Sequence, residues 1–118
     1  MATSRQSFAR TAPAPNARTR KAPLRIAIAG LGTVGAGVAK VLLARSQELS
    51  ARAGRPLETM MITARDRTKD RGFDTGDIPW ADDLNALASS DADVVVELIG
   101  GDDGPARMLV ERSLAAGK

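Results

Sequence analysis

The stretch AIAGLGTVGAGVAKVLL, residues 27–43, sets glycines at positions 30, 32 and 35 directly after a short apolar run and at the head of a helical pattern. Gly30-Leu31-Gly32-Thr33-Val34-Gly35 fits G-x-G-x-x-G in the strand-to-helix context that gives that pattern its meaning. The chemistry open to these residues is binding. Gly30 permits a tight turn out of the strand. Gly32, lacking a Cβ, lets the backbone come against a pyrophosphate, and Gly35 lets the helix lie close on the strand. The free N–H groups of the first helical turn and the helix dipole would face the phosphates, and no carboxylate stands in that turn to repel them. A bare strand–helix turn would account for Gly30 and Gly35 but not for Gly32.

Two other places could touch the same ligand. The second apolar run ends in MITARDRTK, residues 61–69. A site for NAD usually carries Asp or Glu at the end of the second strand, on the ribose 2′-hydroxyl. Here Arg65 takes that place, with Arg67 and Lys69 close behind. A guanidinium can pair with a 2′-phosphate in a planar fork, which predicts NADP in preference to NAD. Asp66 is the acid that keeps NAD and dual use open. Lys69 and Arg71 read as solvated loop charges. ELIGG, residues 97–101, ends a later strand, where Gly100 and Gly101 would let the backbone pass close to the cofactor. For Gly101 a plain turn before the next helix is an equal reading. Glu97, near the end of a strand expected to be buried, needs hydrogen-bonding partners, and a structural role is the preferred reading for it.

The elements that must position these residues follow from periodicity. LRIAIAG, from Leu24, is short, apolar and β-branched, as suits a strand buried on both faces. Val34, Val38, Val41, Leu42 and Leu49 then share one helical face, and Gly54 and Pro56 end the helix. LETMMIT, 57–63, is a second strand, IPW, 78–80, a very short third, and ADDLNALASS a short helix capped by Asp82 or Asp83 that buries Leu84 and Leu87. ADVVVELIGG is the clearest strand. Pro105 opens a last helix with Ala106, Leu109, Val110 and Leu114 on one face, closed by Gly117. Strands alternating with helices predict an α/β fold with a parallel sheet and right-handed crossovers.

Composition narrows the function classes. With no Cys and no His, the chain has no disulfide framework, thiolate metal site, histidine triad or histidine proton shuttle, and no metal ligand is assigned. Aromatics are 3 % of residues, so the core must be aliphatic. No apolar run approaches the roughly 18 residues of a membrane span. Residues 1–23 hold Arg5, Arg10, Arg18, Arg20 and Lys21 and no acid; taking those five from the 17 basic residues leaves twelve against 14 acids. The positive charge therefore belongs to the tail, which argues against nucleic-acid binding by the fold. Residues 1–23 read as a disordered basic tail. A cytoplasmic location is preferred over an organelle transit peptide, whose amphipathic helix the prolines would break.

IAIAGLGTVGAGVAKVLL, ITARDR, DADVVVELIGG and MLVERSLAAGK together resemble the N-terminal cofactor domain of the homoserine dehydrogenases. The resemblance runs from Leu24 to Lys118, and the pairing of GLGTVG with VELIGG is far more specific than the glycine motif alone. It implies a Rossmann-like doubly wound parallel sheet, here incomplete at about four strands, in a dinucleotide-binding domain over 24–118. It implies a family reaction, reduction of aspartate 4-semialdehyde to homoserine with NADPH or NADH on the route to threonine and methionine, and a pyrophosphate loop of Gly30, Leu31, Gly32, Thr33, Val34 and Gly35. Arg65 matches the position that meets the adenosine 2′-phosphate, and Gly100 and Gly101 border the nicotinamide. The family's T-A-N-K lysine, its substrate and dimerisation domain and its monovalent metal site have no counterpart in these residues. No catalytic residue is therefore assigned, Lys118 included. The chain is expected to bind a dinucleotide without turning substrate over, as part of an enzyme or as a stand-alone binding module. Small-molecule substrate would be met only in a full-length enzyme. The strand DVVVELIG, without an outer neighbour, is expected to promote self-association through an exposed sheet edge.

Overall fold

Six residues of low polarity, Leu24–Ala29, make β1, and from Ile26 onward all of them are buried. Alternation sends Ile26 and Ile28 to one side of the sheet and Ala27 and Ala29 to the other, where each pair joins a separate core. The computed structural model describes residues 22–101 and 103–118. The chain runs β1 (Leu24–Ala29), α1 (Thr33–Ala44), α2 (Ser46–Ala53), β2 (Leu57–Thr63), α3 (Leu84–Ala88), β3 (Val94–Glu97) and α4 (Pro105–Ala115). The three strands are parallel, in the order β2-β1-β3. α1 and α2 cover one face and α3 and α4 the other. The sheet is thus doubly wound, and its order reverses between β1 and β3, where such sheets bind ligands at the carboxyl ends of their strands.

Several expectations take a different form. The short strand at 78–80 is a single parallel bridge, Ile62 to Trp80, so the sheet has three strands among the described residues where about four were expected. The long helix is two: the backbone turns out of helical geometry at Arg45 (φ −118°, ψ 28°), and α2 then ends at Gly54 in the left-handed conformation (φ 75°) foreseen for it. The buried face of α1 is made by Gly35, Ala36 and Ala39, while Val34 and Val41 are exposed. Small residues face the sheet because the helix lies so close to it. On α4, Ala106, Leu109 and Ser113 face inward and Val110 and Leu114 outward, one helical row from the expected stripe. Apart from Ala22 and Pro23, the basic tail lies outside the described residues. Arg55 donates to the carbonyl oxygens of Ala22 and Pro23, steadying the entry to β1.

The adjacent methionines of β2 have a cause. Ile26 pairs with Thr59 but Ala27 with Met61, so Met60 is an extra residue, a bulge in a parallel ladder. Strict alternation would send Met60 and Met61 to opposite faces. With the bulge, both pack on the core beneath α3 and α4, and unbranched Met side chains suit that irregular space.

Candidate dinucleotide site

The end of β1, the start of α1 and the end of β3 converge at the switch point, and three glycines there have three different reasons. Gly30 has φ 97°, and a Cβ on it would lie 2.7 Å from the carbonyl carbon and oxygen of Leu98 and 2.9 Å from the Ile99 nitrogen. The turn out of β1 and the turn out of β3 therefore touch, backbone on backbone. A Cβ on Gly35 would stand 1.8 Å from the Gly30 carbonyl oxygen, so only glycine lets α1 start this close to the strand. Gly32 differs from both. Its φ of −71° is open to any residue, and a Cβ there would have no atom within 4 Å. Nothing in the fold requires glycine at 32, and what it preserves is open space beside the backbone.

That space faces the N-terminus of α1. Gly32 is the N-cap, no side chain caps the helix, and its first turn carries no acid. The first intrahelical bond runs from Ala36 N–H to the Gly32 carbonyl, so the amides of Thr33, Val34 and Gly35 have no acceptor within the helix. Thr33 and Val34 are exposed. Leu31, by contrast, buries its side chain in the core beneath α1 and offers the loop only its main chain.

At the end of β2 the chain keeps one arginine free while engaging its neighbours. Arg65 is exposed and makes no ion pair or side-chain hydrogen bond among the described residues. The Asp66 carboxylate accepts the Thr68 backbone N–H at 2.9 Å and the Thr68 hydroxyl at 2.7 Å. These bonds, the hydroxyl first, hold its pKa below the ordinary carboxylate value, with Arg71 and Lys69 adding to the effect. Arg67 turns toward Trp80, its guanidinium 5.4 Å from the ring centroid, and lies 3.7 Å from an Asp82 oxygen. Arg71, expected to be solvated, is half-buried and reaches back to the glycine loop, donating through Nε to the Leu31 carbonyl at 3.1 Å. No local signal marks that contact, because its partner is a backbone oxygen 40 residues away.

On the other side of the switch point, Gly100 (φ 94°) and Gly101 (φ 92°) both adopt a conformation that favours glycine. Glu97 folds back on this turn, accepting the N–H groups of Ile99 at 2.7 Å and Gly100 at 3.0 Å. Its partners are structural, and through them it shapes the loop that Gly30 abuts.

Comparison with known proteins agrees with this geometry. A family model described as the NAD-binding domain of homoserine dehydrogenase matches residues 30–118. The homoserine dehydrogenase of Methylobacillus glycogenes is 39 % identical over 97 residues, which are 81 % of this chain and 23 % of that protein. That of Pseudomonas aeruginosa is 44 % identical over 80 residues, 67 % of this chain and 18 % of that one. Among solved structures, S. aureus homoserine dehydrogenase at pH 7.5 superposes with a TM-score of 0.74 at 30 % identity, covering 82 % of this chain and 25 % of that chain. The enzyme from Thiobacillus denitrificans does so at 0.72 and 36 %, covering 82 % and 22 %. The chain spans a quarter or less of the proteins it matches. With glycine loop, switch point and sequence all in agreement, it belongs to the homoserine dehydrogenase family, as that family's NAD-binding domain.

Proposed function

We propose that this chain is the cofactor-binding portion of an NADP-preferring homoserine dehydrogenase, an enzyme that reduces aspartate 4-semialdehyde to homoserine. The observation that carries the reading is Gly32: a glycine with an ordinary φ and no protein neighbour, at an uncapped helix start, fits a ligand whose phosphates come closer than a side chain would allow. In this reading Gly30, Leu31, Gly32, Thr33, Val34 and Gly35 hold the pyrophosphate. Gly100 and Gly101, shaped by Glu97, border the nicotinamide. The bound dinucleotide supplies the hydride, and the residues of this chain bind and orient it. The preference for NADP rests on Arg65, the unengaged guanidinium at the end of β2, with Arg67 beside it and the acid at 66 already occupied by Thr68. A 2′-phosphate offers Arg65 a bidentate partner that a 2′-hydroxyl cannot.

The test is titration of the 118-residue chain with NADPH and NADH. Gly32→Ala should lower the melting temperature only slightly, since its Cβ would meet open space and only the N-cap preference for glycine is lost, and should weaken both cofactors about ten-fold or more, the equivalent of ~1.4 kcal/mol. Wild-type affinity in that variant would remove the pyrophosphate assignment. Arg65→Ala should cost NADPH about 1–3 kcal/mol, the scale of a lost charged hydrogen bond, and NADH little. Equal losses for the two would remove the 2′-phosphate assignment.

A further inference from the structure

Arg71 spends its side chain on three backbone carbonyls drawn from both ends of the candidate site. Nε donates to Leu31 at 3.1 Å, one terminal nitrogen donates to Lys69 at 2.9 Å, and the other donates to Asp66. The face of its guanidinium lies 5.8 Å from the centre of the Trp80 ring, which Arg67 also approaches. Leu31 is the residue between the first two glycines of the loop. Asp66 follows Arg65 directly. A single planar cation thus fixes the glycine loop against the segment that carries Arg65, two pieces of chain that no strand pairing joins beyond Thr63.

We propose that Arg71 is a positioning residue for cofactor selectivity: it sets the distance between the pyrophosphate loop and Arg65, so that a dinucleotide held at the first meets the second with its 2′-substituent. The inference rests on the dinucleotide reading above. Its physical basis is preorganisation. A rigid guanidinium with three fixed donors holds Arg65's backbone in place before the ligand arrives, and the ligand is spared that ordering cost. The contact with the Leu31 carbonyl also polarises the Leu31–Gly32 peptide, whose N–H belongs to the phosphate-facing loop. A lysine at 71 keeps the charge but has no planar fork with which to join three carbonyls in fixed geometry.

The experiment is a double-mutant cycle on the 118-residue chain, read as the affinities for NADPH and NADH in wild type, Arg65→Ala, Arg71→Met and the double variant, with thermal melts of each. Arg71→Met should weaken NADPH about ten-fold and NADH less, so the NADPH:NADH preference falls. Arg65→Ala should then cost several-fold less in the Arg71→Met background than in wild type, because the two are coupled. Arg71→Lys should fold and restore only part of the preference, and it carries the measurement if Arg71→Met does not fold. A lowered melting temperature with an unchanged preference and additive effects would assign Arg71 to fold stability alone and overturn the proposal. Failure of wild type to bind either cofactor would instead overturn the dinucleotide reading itself, so the two failures are distinct.

Discussion

At Asp66 a single carboxylate oxygen accepts both the backbone N–H and the hydroxyl of Thr68. Both bonds favour the ionised form, so the pKa of Asp66 in the folded chain lies below its ordinary value. The sign of the linkage follows: the contribution to stability is present above the unfolded pKa and is lost as pH falls through the lowered folded value. NMR titration of the Asp66 carboxyl carbon should show a midpoint below that of an ordinary aspartate, moving up in Thr68→Val, which lacks the hydroxyl. An unmoved midpoint would mean that the hydroxyl bond is absent in solution. In the proposed NADP reading the same turn bears on selectivity. An aspartate at this place could serve a ribose 2′-hydroxyl, and Thr68 keeps it folded onto its own loop. Arg65 is left as the unengaged charge nearest the strand end, whereas Arg67 is drawn to Trp80 and Asp82.

Between elements, the decisive contact is the approach of α1 to β1. A Cβ on Gly35 would stand 1.8 Å from the Gly30 carbonyl, and neither backbone can give way without moving a strand or a helix. Gly35→Ala should therefore destabilise the chain by about 3 kcal/mol or more, at or beyond the upper end of ordinary overpacking costs, as read by denaturant unfolding. Stability equal to wild type would show that helix and strand are not in contact there. The contrast with Gly32, three residues earlier, whose Cβ would meet open space rather than backbone, is a test within one motif. The steric roles of Gly30 and Gly35 were legible in the sequence, because the offset between a strand end and a helix start leaves few positions where a side chain can fit. The helix faces were less so. Val34, Val41, Val110 and Leu114 look like core by periodicity, yet the surfaces that meet the sheet are Gly35, Ala36 and Ala39 in α1 and Ala106, Leu109 and Ser113 in α4. Apolar type predicts burial, and close packing selects small residues instead. The break at Arg45 carries no glycine or proline to announce it. The reach of Arg71 to Leu31 depends on tertiary placement that no short window contains.

For the molecule as a whole, the outer edge of β3 is the exposed feature of consequence. Among the described residues β3 pairs only with β1. Beside it Val110 and Leu114 of α4, exposed at 41 % and 66 %, line a shallow groove of about 100 Å³ with Val95 and Glu97. An apolar strand edge of this kind pairs readily with another chain. We expect the 118-residue chain, studied alone, to self-associate with rising concentration in sedimentation velocity, and the pair Val110→Glu and Leu114→Glu to shift it toward monomer. A wild-type monomer across the concentration range, with a sharp cooperative melt, would contradict this.

The supernumerary Met60 gives the molecule a place to absorb change. Because β2 takes up its odd residue between Thr59 and Met61, the half that leads to Thr63 and on to Arg65 has its own register with β1, offset by one from the half that follows α2. We expect lengthening or shortening of the α2–β2 connection to be taken up before Met60, leaving Thr63 and the segment that carries Arg65 where β1 sets them.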